Sequence, residues 1–387
     1  MPGIILTING GSSSVKFAVF DRDDPAKKLG GGQVERVGQP GTVLSAKGLG
    51  EEIKNQPIDA AHHGDAAETI MDWLMSRIGD QTIAGIGHRI VHGGLRLLDH
   101  VRITPDVLNQ LRAARELDLA HLPREILLIE AFEKKFSTVP QVACLDTAFF
   151  KNLPTLAKLL PIPRRFFNAG VHRFGFHGLS YTYLMGELAK LDPQIASNGK
   201  VILAHLGSGA SMAAVSAGKP IDTSMSFTPT AGLMMGTRCG DLDPGTVLHL
   251  MRNENLSIDQ ATQLLNEESG LLGVSETSAD MRDLFSKRGT DARAAEAVDL
   301  FCYTARKYIG SYAAAMGGLD CIVFAGGIGE HSAEARAGIC DRLQFLGVEI
   351  DAAKNSASAP VISSGRIPVR VIATDEEAMI ARIVARI

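Results

Sequence analysis

The sequence predicts an α/β protein of two domains, on three observations. Its 387 residues exceed the ~250 to 300 at which one hydrophobic core normally stops growing. Three short apolar runs each enter a turn of Gly, Ser or Asn, as strands buried on both faces do. Between them, apolar residues return at three- and four-residue spacing, and strands alternating with helices make an α/β architecture.

The first run, IILTI at 4–8, enters Asn9-Gly10-Gly11-Ser12-Ser13-Ser14 and continues into a second strand over 15–20. VILAHL at 201–206 enters Gly207-Ser208-Gly209 and is again followed by a strand, over 212–215, which hints at a duplicated unit. IVFA at 322–325 enters Gly326-Gly327-Ile328-Gly329-Glu330, read as a third turn. Helices are predicted over 66–78, 105–115 and 124–136. A Pro-rich stretch over 152–168 reads as the connection between domains, and a strand over 367–373 with a helix over 375–386 reads as a return to the first. The expected domains are therefore 1–150 with 369–387, and 151–368, with a cleft between them.

Lys and Arg number 39 against 43 Asp and Glu, a formal net charge of -4, so no global cationic field is available for nucleic acid or an anionic membrane. Cys144, Cys239, Cys302, Cys321 and Cys340 are odd in number and form no C-x-x-C pair, which fits reduced thiols of a cytoplasmic protein. The apolar run at 4–8 is too short for a signal sequence, and no stretch approaches the ~20 apolar residues of a membrane helix.

Several segments carry possible chemistry. Three hydroxyls and successive backbone N–H groups precede Lys16, a pattern suited to phosphate oxygens, although it is not the G-x-x-x-x-G-K-[ST] loop and a plain hairpin turn would use the same residues. In His88-Arg89-Ile90-Val91-His92-Gly93-Gly94 the histidine spacing invites a zinc reading, but no glutamate follows His88, and Arg89 is the better candidate as an oxyanion ligand. Arg173-Phe174-Gly175-Phe176-His177-Gly178 places a histidine between glycines that open the backbone to a ligand. Arg238 sits in a Gly-rich loop that also holds Asp241 and Asp243. Asp146, and Asp375 to Glu377, offer carboxylates to Mg²⁺, while Asp375 is equally placed to cap the last helix. Together these are the parts of a phosphoryl-transfer site.

The motifs NGGSSSVKF, HRIVHGG, DTAFF, RFGFHGLS, HLGSGAS, GLMMGTRCGDLDPG, SADMRD, FAGGIGEHS and TDEEAMIAR resemble those of the acetokinase family, in the actin and sugar-kinase ATPase superfamily, over 5–382. The resemblance implies two actin-like (ribonuclease H-like) domains around a nucleotide cleft, a homodimer, and reversible transfer of the ATP γ-phosphoryl group to acetate with Mg²⁺ or Mn²⁺. It assigns Arg89, Asp146, His177 and Arg238 to catalysis. It assigns Arg89, Val91, Ala120, His121, Phe176 and Pro229 to the acid, and Asn9 and Glu376 to the metal. Nucleotide binding falls to Lys16, to His205, Leu206, Gly207, Ser208 and Gly209, to Asp280, Met281 and Arg282, and to Gly327, Ile328, Gly329, Glu330 and His331.

The chain departs from the family where APLHNP becomes Asp118-Leu119-Ala120-His121-Leu122-Pro123, and at Phe150, Ser208 and His331. Ala120 in place of Leu predicts room for about two more carbons in the acid pocket, so that propionate or butyrate competes with acetate. A sugar-type kinase using Asp146 as base, or a nucleotide-dependent switch on the same fold, are the alternatives.

Overall fold

The computed structural model describes residues 3–11, 13–118 and 121–387. It divides the chain into two compact units, Met1–Lys151 with Asp375–Ile387, and Asn152–Thr374.

In the first unit, Ile4, Ile5, Leu6 and Ile8 are each no more than 1% exposed. A strand buried on both faces needs apolar side chains at consecutive positions rather than alternate ones, and β1 (Gly3–Gly10) meets that condition. It turns back antiparallel into β2 (Ser14–Asp21) and pairs in parallel with β6 (Thr82–Ile90), which is itself parallel to β8 (Gln141–Leu145). The sheet continues outward from β2 through β3 (Lys28–Glu35), β4 (Val43–Gly48) and β5 (Ile53–Pro57), and β7 (Val101–Arg102) lies at the other edge.

One face packs on the helices His63–Met75 and Leu122–Lys135, with Phe17 edge-on to Trp73 at 5.0 Å between ring centroids. Such a pair adds ~0.5 to 1.5 kcal/mol to the area it buries. The opposite face receives the final helix, Glu376–Val384. It lies so close to β6 that a Cβ on Gly87 would sit 2.3 Å from Cγ2 of Ile380, so only glycine fits there.

The second unit repeats the plan. β9 (Lys200–Leu206) turns back antiparallel into β10 (Ala210–Ser216), which pairs with β11 (Lys219–Thr223). β9 is parallel to β12 (Cys321–Ala325), and β12 to β13 (Val369–Val371). The order β11-β10-β9-β12-β13 matches β3-β2-β1-β6-β8 strand for strand in position and direction. The duplication hinted at by the two hairpins is thus a duplicated sheet.

Three local expectations are corrected. The strand expected over 367–373 is shortened to β13 and lies in the second sheet, because its partner is β12, so the chain returns to the first unit only at Asp375. The stretch after β12 is a short helix, Gly326–His331, rather than a turn. The helix expected over 66–78 starts earlier, at His63, where His62 and Asp65 form a capping box. Among the described residues no helix is long and apolar enough to cross a membrane, and all five cysteines are free.

Candidate active site

In the first unit the parallel strands β1, β6 and β8 end side by side, and each delivers one polar side chain at its carboxyl end, where α/β sheets bind ligands. Asn9 comes from β1, Arg89 from β6, and Asp146 directly follows β8. Arg89 donates from Nη2 to Oδ2 of the fully buried Asp146 at 2.7 Å, from Nε to the same oxygen at 3.2 Å, and from Nη1 to Oδ1 of Asn9 at 3.1 Å. Glu376 lies 3.8 Å from Nη1. Burial opposes the charge on Arg89, but Asp146 and Glu376 outweigh it and hold the guanidinium more firmly ionised than a free arginine.

Asp375 caps the last helix by accepting from the N–H of Ala378 at 2.8 Å, which leaves Glu376 and Glu377 to face the cluster. Nδ2 of Asn9 donates to both of them, at 2.9 and 3.2 Å. Glu377 and the exposed Lys16 line one cleft of about 600 Å³.

Beside this cluster the N–H of the buried Val91 donates to both oxygens of Glu125, at 3.1 and 3.2 Å. Glu125 is 2% exposed, and burial, reinforced by the charge of Asp118, pushes its carboxyl well above the ordinary range against the pull of Arg89. His121 shares a 3.0 Å hydrogen bond through Nδ1 with Asp118. Burial alone would raise the Asp118 carboxyl, but bonding to His121 more than offsets it and keeps Asp118 low. Ala120 and Ser12 lie outside the described residues. His88, the other half of the rejected zinc pair, is buried against Gln141 at 2.6 Å, and desolvation lowers it to about 4.

The second unit gathers its own set. His177 takes a left-handed backbone at φ 60, immediately before the helix Gly178–Leu191. Its Nδ1 lies 2.9 Å from Oγ of Ser211, and its ring lies against His205 with centroids 4.3 Å apart. Nδ1 of His205 is in turn 2.8 Å from Oγ of Ser180. A Cβ placed on Gly209 would meet Nη2 of Arg238 at 3.2 Å and Nε2 of His177 at 3.4 Å, so the guanidinium and the imidazole converge over this glycine. Nη1 of Arg238 is fixed by donating to the carbonyl of Pro229 at 2.8 Å, and Phe176 is buried.

The β9–β10 turn and the start of the helix Gly326–His331 adjoin one another. Gly326 has φ 74, and a Cβ there would lie 2.7 Å from the carbonyl of Leu206, so this junction excludes any side chain. Gly327 next to it has open space. Glu330 points inward, where Oε1 accepts the N–H groups of Gly326 at 2.8 Å and Thr374 at 3.1 Å; the last residue of the helix, His331, is exposed. Asp280 caps the helix Met281–Lys287 and pairs with the exposed Arg282 at 2.6 Å, while Met281 is buried. Gly236 links this loop to the turn: its N–H donates to the carbonyl of Ser208 at 3.0 Å, and a Cβ there would meet the Ala279 carbonyl at 3.2 Å.

The first unit therefore brings together Asn9, Arg89, Asp146 and Glu376, and the second His177, His205, Gly209, Arg238 and Pro229. Glu377 was among the carboxylates the sequence offered to Mg²⁺, whereas Glu125 and the hydroxyl partners Ser180 and Ser211 were missed. Chemically, the first unit offers a fixed arginine whose buried aspartate partner is already engaged, and the second offers a fixed arginine and an open glycine backbone to anionic oxygens.

Comparison with known proteins agrees with this reading. The model of the acetokinase family matches residues 4–382. An acetate kinase of Rhodopseudomonas palustris is 40% identical, covering 100% of this chain and 99% of that relative. A propionate kinase of Citrobacter rodentium is 43% identical, covering 99% and 96%. Among solved structures, the acetate kinase of Porphyromonas gingivalis aligns with a TM-score of 0.88 at 36% identity, covering 99% of each chain. A propionate kinase from Francisella tularensis aligns at 0.93 and 36%, covering 100% of each. Two actin-like units, an acyl-kinase motif set from end to end and full-length relatives at this identity lead to one conclusion: the chain belongs to the acetokinase family.

Proposed function

We propose that the protein is an acetate kinase, transferring the γ-phosphoryl group of ATP reversibly to acetate. The observation that carries this reading is the engagement of Asp146 by Arg89 through two N–H donors. A hydroxyl acceptor needs a base, and an aspartate held in such a fork is poorly available as one. A carboxylate acceptor is already ionised at neutral pH, with a pKa near ~4 to 5, and needs cations in fixed positions instead.

Asp146 then serves to orient Arg89, which binds the acid, and the family resemblance gives Val91, His121, Phe176 and Pro229 to the same substrate. His177 and Arg238 stabilise charge on the transferring phosphoryl group, in a transition state for which positioning and electrostatics are most of the catalysis. Lys16, the 205–209 turn, residues 280–282 and residues 327–331 take the nucleotide.

Glu376 and Glu377, ordered by Asn9, are hard oxygen donors that fit the one or two carboxylates Mg²⁺ takes beside phosphate oxygens. Bound there, Mg²⁺ or Mn²⁺ would neutralise phosphate charge. The test is ADP release in the presence of Mg²⁺, which should require acetate and ignore glucose and glycerol.

Propionate is a second acceptor on this reading, supported by the similarity to two propionate kinases. A homodimer is supported by apolar side chains left in solvent on neighbouring helices of the second unit, including Leu248 at 61% and Ile258 at 74% exposed. Light scattering at the mass of two chains tests it. We place the enzyme in the cytoplasm, in keeping with its five free thiols.

A further inference from the structure

In the second unit His177 and His205 lie ring against ring, and each presents Nδ1 to a serine hydroxyl: His177 to Ser211 at 2.9 Å, His205 to Ser180 at 2.8 Å. Each serine meets a further hydroxyl in turn, Tyr181 behind Ser211 and Thr374 behind Ser180. Ser180 and Tyr181 are neighbours on the helix Gly178–Leu191, and Ser211 of β10 faces His205 of β9. Ser180, Tyr181 and Ser211 have no solvent exposure. We propose that Ser211 and Tyr181 are positioning residues for the transfer step: given that His177 faces the phosphoryl group, as assigned above, the chain Tyr181–Ser211–His177 orients its ring and holds the ring proton on Nε2, the nitrogen that converges with Arg238 over Gly209.

Ser211 has a single hydroxyl proton for two neighbours, so the chain can be polarised in two ways. In one, Tyr181 donates to Ser211 and Ser211 donates to Nδ1, which leaves the proton of a neutral imidazole on Nε2. In the other, which an imidazolium also requires, Nδ1–H donates to Ser211 and Ser211 donates to the phenol oxygen; Nε2 of a neutral ring is then a bare lone pair. A phenol, with a pKa near ~10, is the stronger donor and the weaker acceptor of the two hydroxyls. The first polarity is therefore favoured, and each bond in it strengthens the next. Its product suits the site: Nε2–H beside Nη2 of Arg238 sets two donors where anionic oxygens gather in the transition state, whereas a bare Nε2 would repel them. The backbone of His177 points the same way. Its φ of 60 is uncommon outside glycine, and such a conformation persists where the surroundings fix it, as the buried hydroxyl at Nδ1 does here.

The experiment measures kcat and KM with acetate, ATP and Mg²⁺ in wild type, Ser211→Ala, Tyr181→Phe, their double variant, and Ser211→Ala in a His177→Ala background. Ser211→Ala should lower kcat on the order of 10- to 100-fold, as other hydrogen-bond partners of functional histidines do, with KM for acetate and for ATP near wild type. Tyr181→Phe, which deletes one oxygen, should lower kcat in the same direction. The double variant should lose no more than Ser211→Ala alone, and Ser211→Ala should cost nothing further once His177 is gone, because groups acting as one unit are not additive. Nitrogen NMR of the histidine-labelled enzyme, with the His177 signals identified by their loss in His177→Ala, should show the Nε2–H tautomer in wild type. A Ser211→Ala enzyme with wild-type kcat, losses that add in the double variant or persist without His177, or a His177 found as the Nδ1–H tautomer or as an imidazolium would overturn the proposal. Should Ser211→Ala fail to fold, a Tyr181→Phe enzyme with wild-type kcat overturns it equally. A wild-type enzyme that phosphorylates no acid would instead reject the acetate kinase reading.

Discussion

Replacing Arg89 by alanine tests how one side chain serves both the fold and the site. Arg89 is the cationic partner of Asp146, which has no solvent exposure, and its guanidinium also ties in Asn9. Removing one partner of such a pair leaves a buried charge uncompensated, at a cost of ~3 to 5 kcal/mol. At ~2 to 4 °C per kcal/mol for units of this size, the melting temperature should drop by ~6 to 20 °C. Turnover should fall by ~10²- to 10³-fold, the usual loss for a charge donor to the transition state. The second substitution separates the two effects: adding Asp146→Asn removes the orphaned charge, so Arg89→Ala with Asp146→Asn should recover most of the melting temperature and none of the turnover. Calorimetry and acetate-dependent ADP release measure both. A single variant that melts like wild type and turns over at near-normal rate would refute the reasoning, as would a double variant that regains activity.

Other consequences can be checked alongside it. Arg238→Ala should lower turnover by ~10²- to 10³-fold in the same assay, and it also removes the hydrogen bond to the Pro229 carbonyl. Arg336 is fully buried and donates to the carbonyls of Gly329 and Glu330 at the end of the helix that begins at Gly326, and to Asn355, so Arg336→Met should destabilise the enzyme and raise KM for ATP more than KM for acetate in steady-state kinetics. Glu125 has a folded pKa raised above its unfolded value, so its favourable contribution is complete in acid and is lost as pH rises through the folded pKa. Glu125→Gln should therefore gain thermal stability over wild type at pH 8 and lose that advantage near pH 4. His88 has the opposite sign: its imidazole is lowered to about 4, so stability present above pH 6.5 should drain away on acidification by ~3 kcal/mol in all, and His88→Asn should flatten that acid limb in urea titrations.

Part of this was legible in the chain itself. Runs of consecutive apolar residues located β1, β9 and β12, because a strand covered on both faces is apolar at successive rather than alternate positions. Arg89 was legible because an arginine between a strand and a Gly pair has few structural uses. The strands β3, β4 and β5 were not anticipated: Gly30, Gly31 and Gly32, and the polar run Lys54-Asn55-Gln56, carry no alternation, and these strands are held by pairing to their neighbours. The contact of Glu125 with Val91 joins residues 34 apart, and that of His177 with Ser211 joins residues likewise 34 apart, so no local pattern announces either. Glu330 shows the limit from the other side. Its motif marked it for the nucleotide, but nothing in that motif announces that its carboxylate also accepts the N–H groups of Gly326 and of Thr374, 44 residues on.

The central claim is that the acceptor is a carboxylate, and it is tested most directly by incubating the enzyme with ATP, Mg²⁺ and hydroxylamine and measuring acyl hydroxamate from acetate, propionate and butyrate at matched concentrations. The account predicts hydroxamate from acetate, with propionate also used. No hydroxamate from any of the three acids, from an enzyme that still consumes ATP with a sugar or polyol, would contradict it.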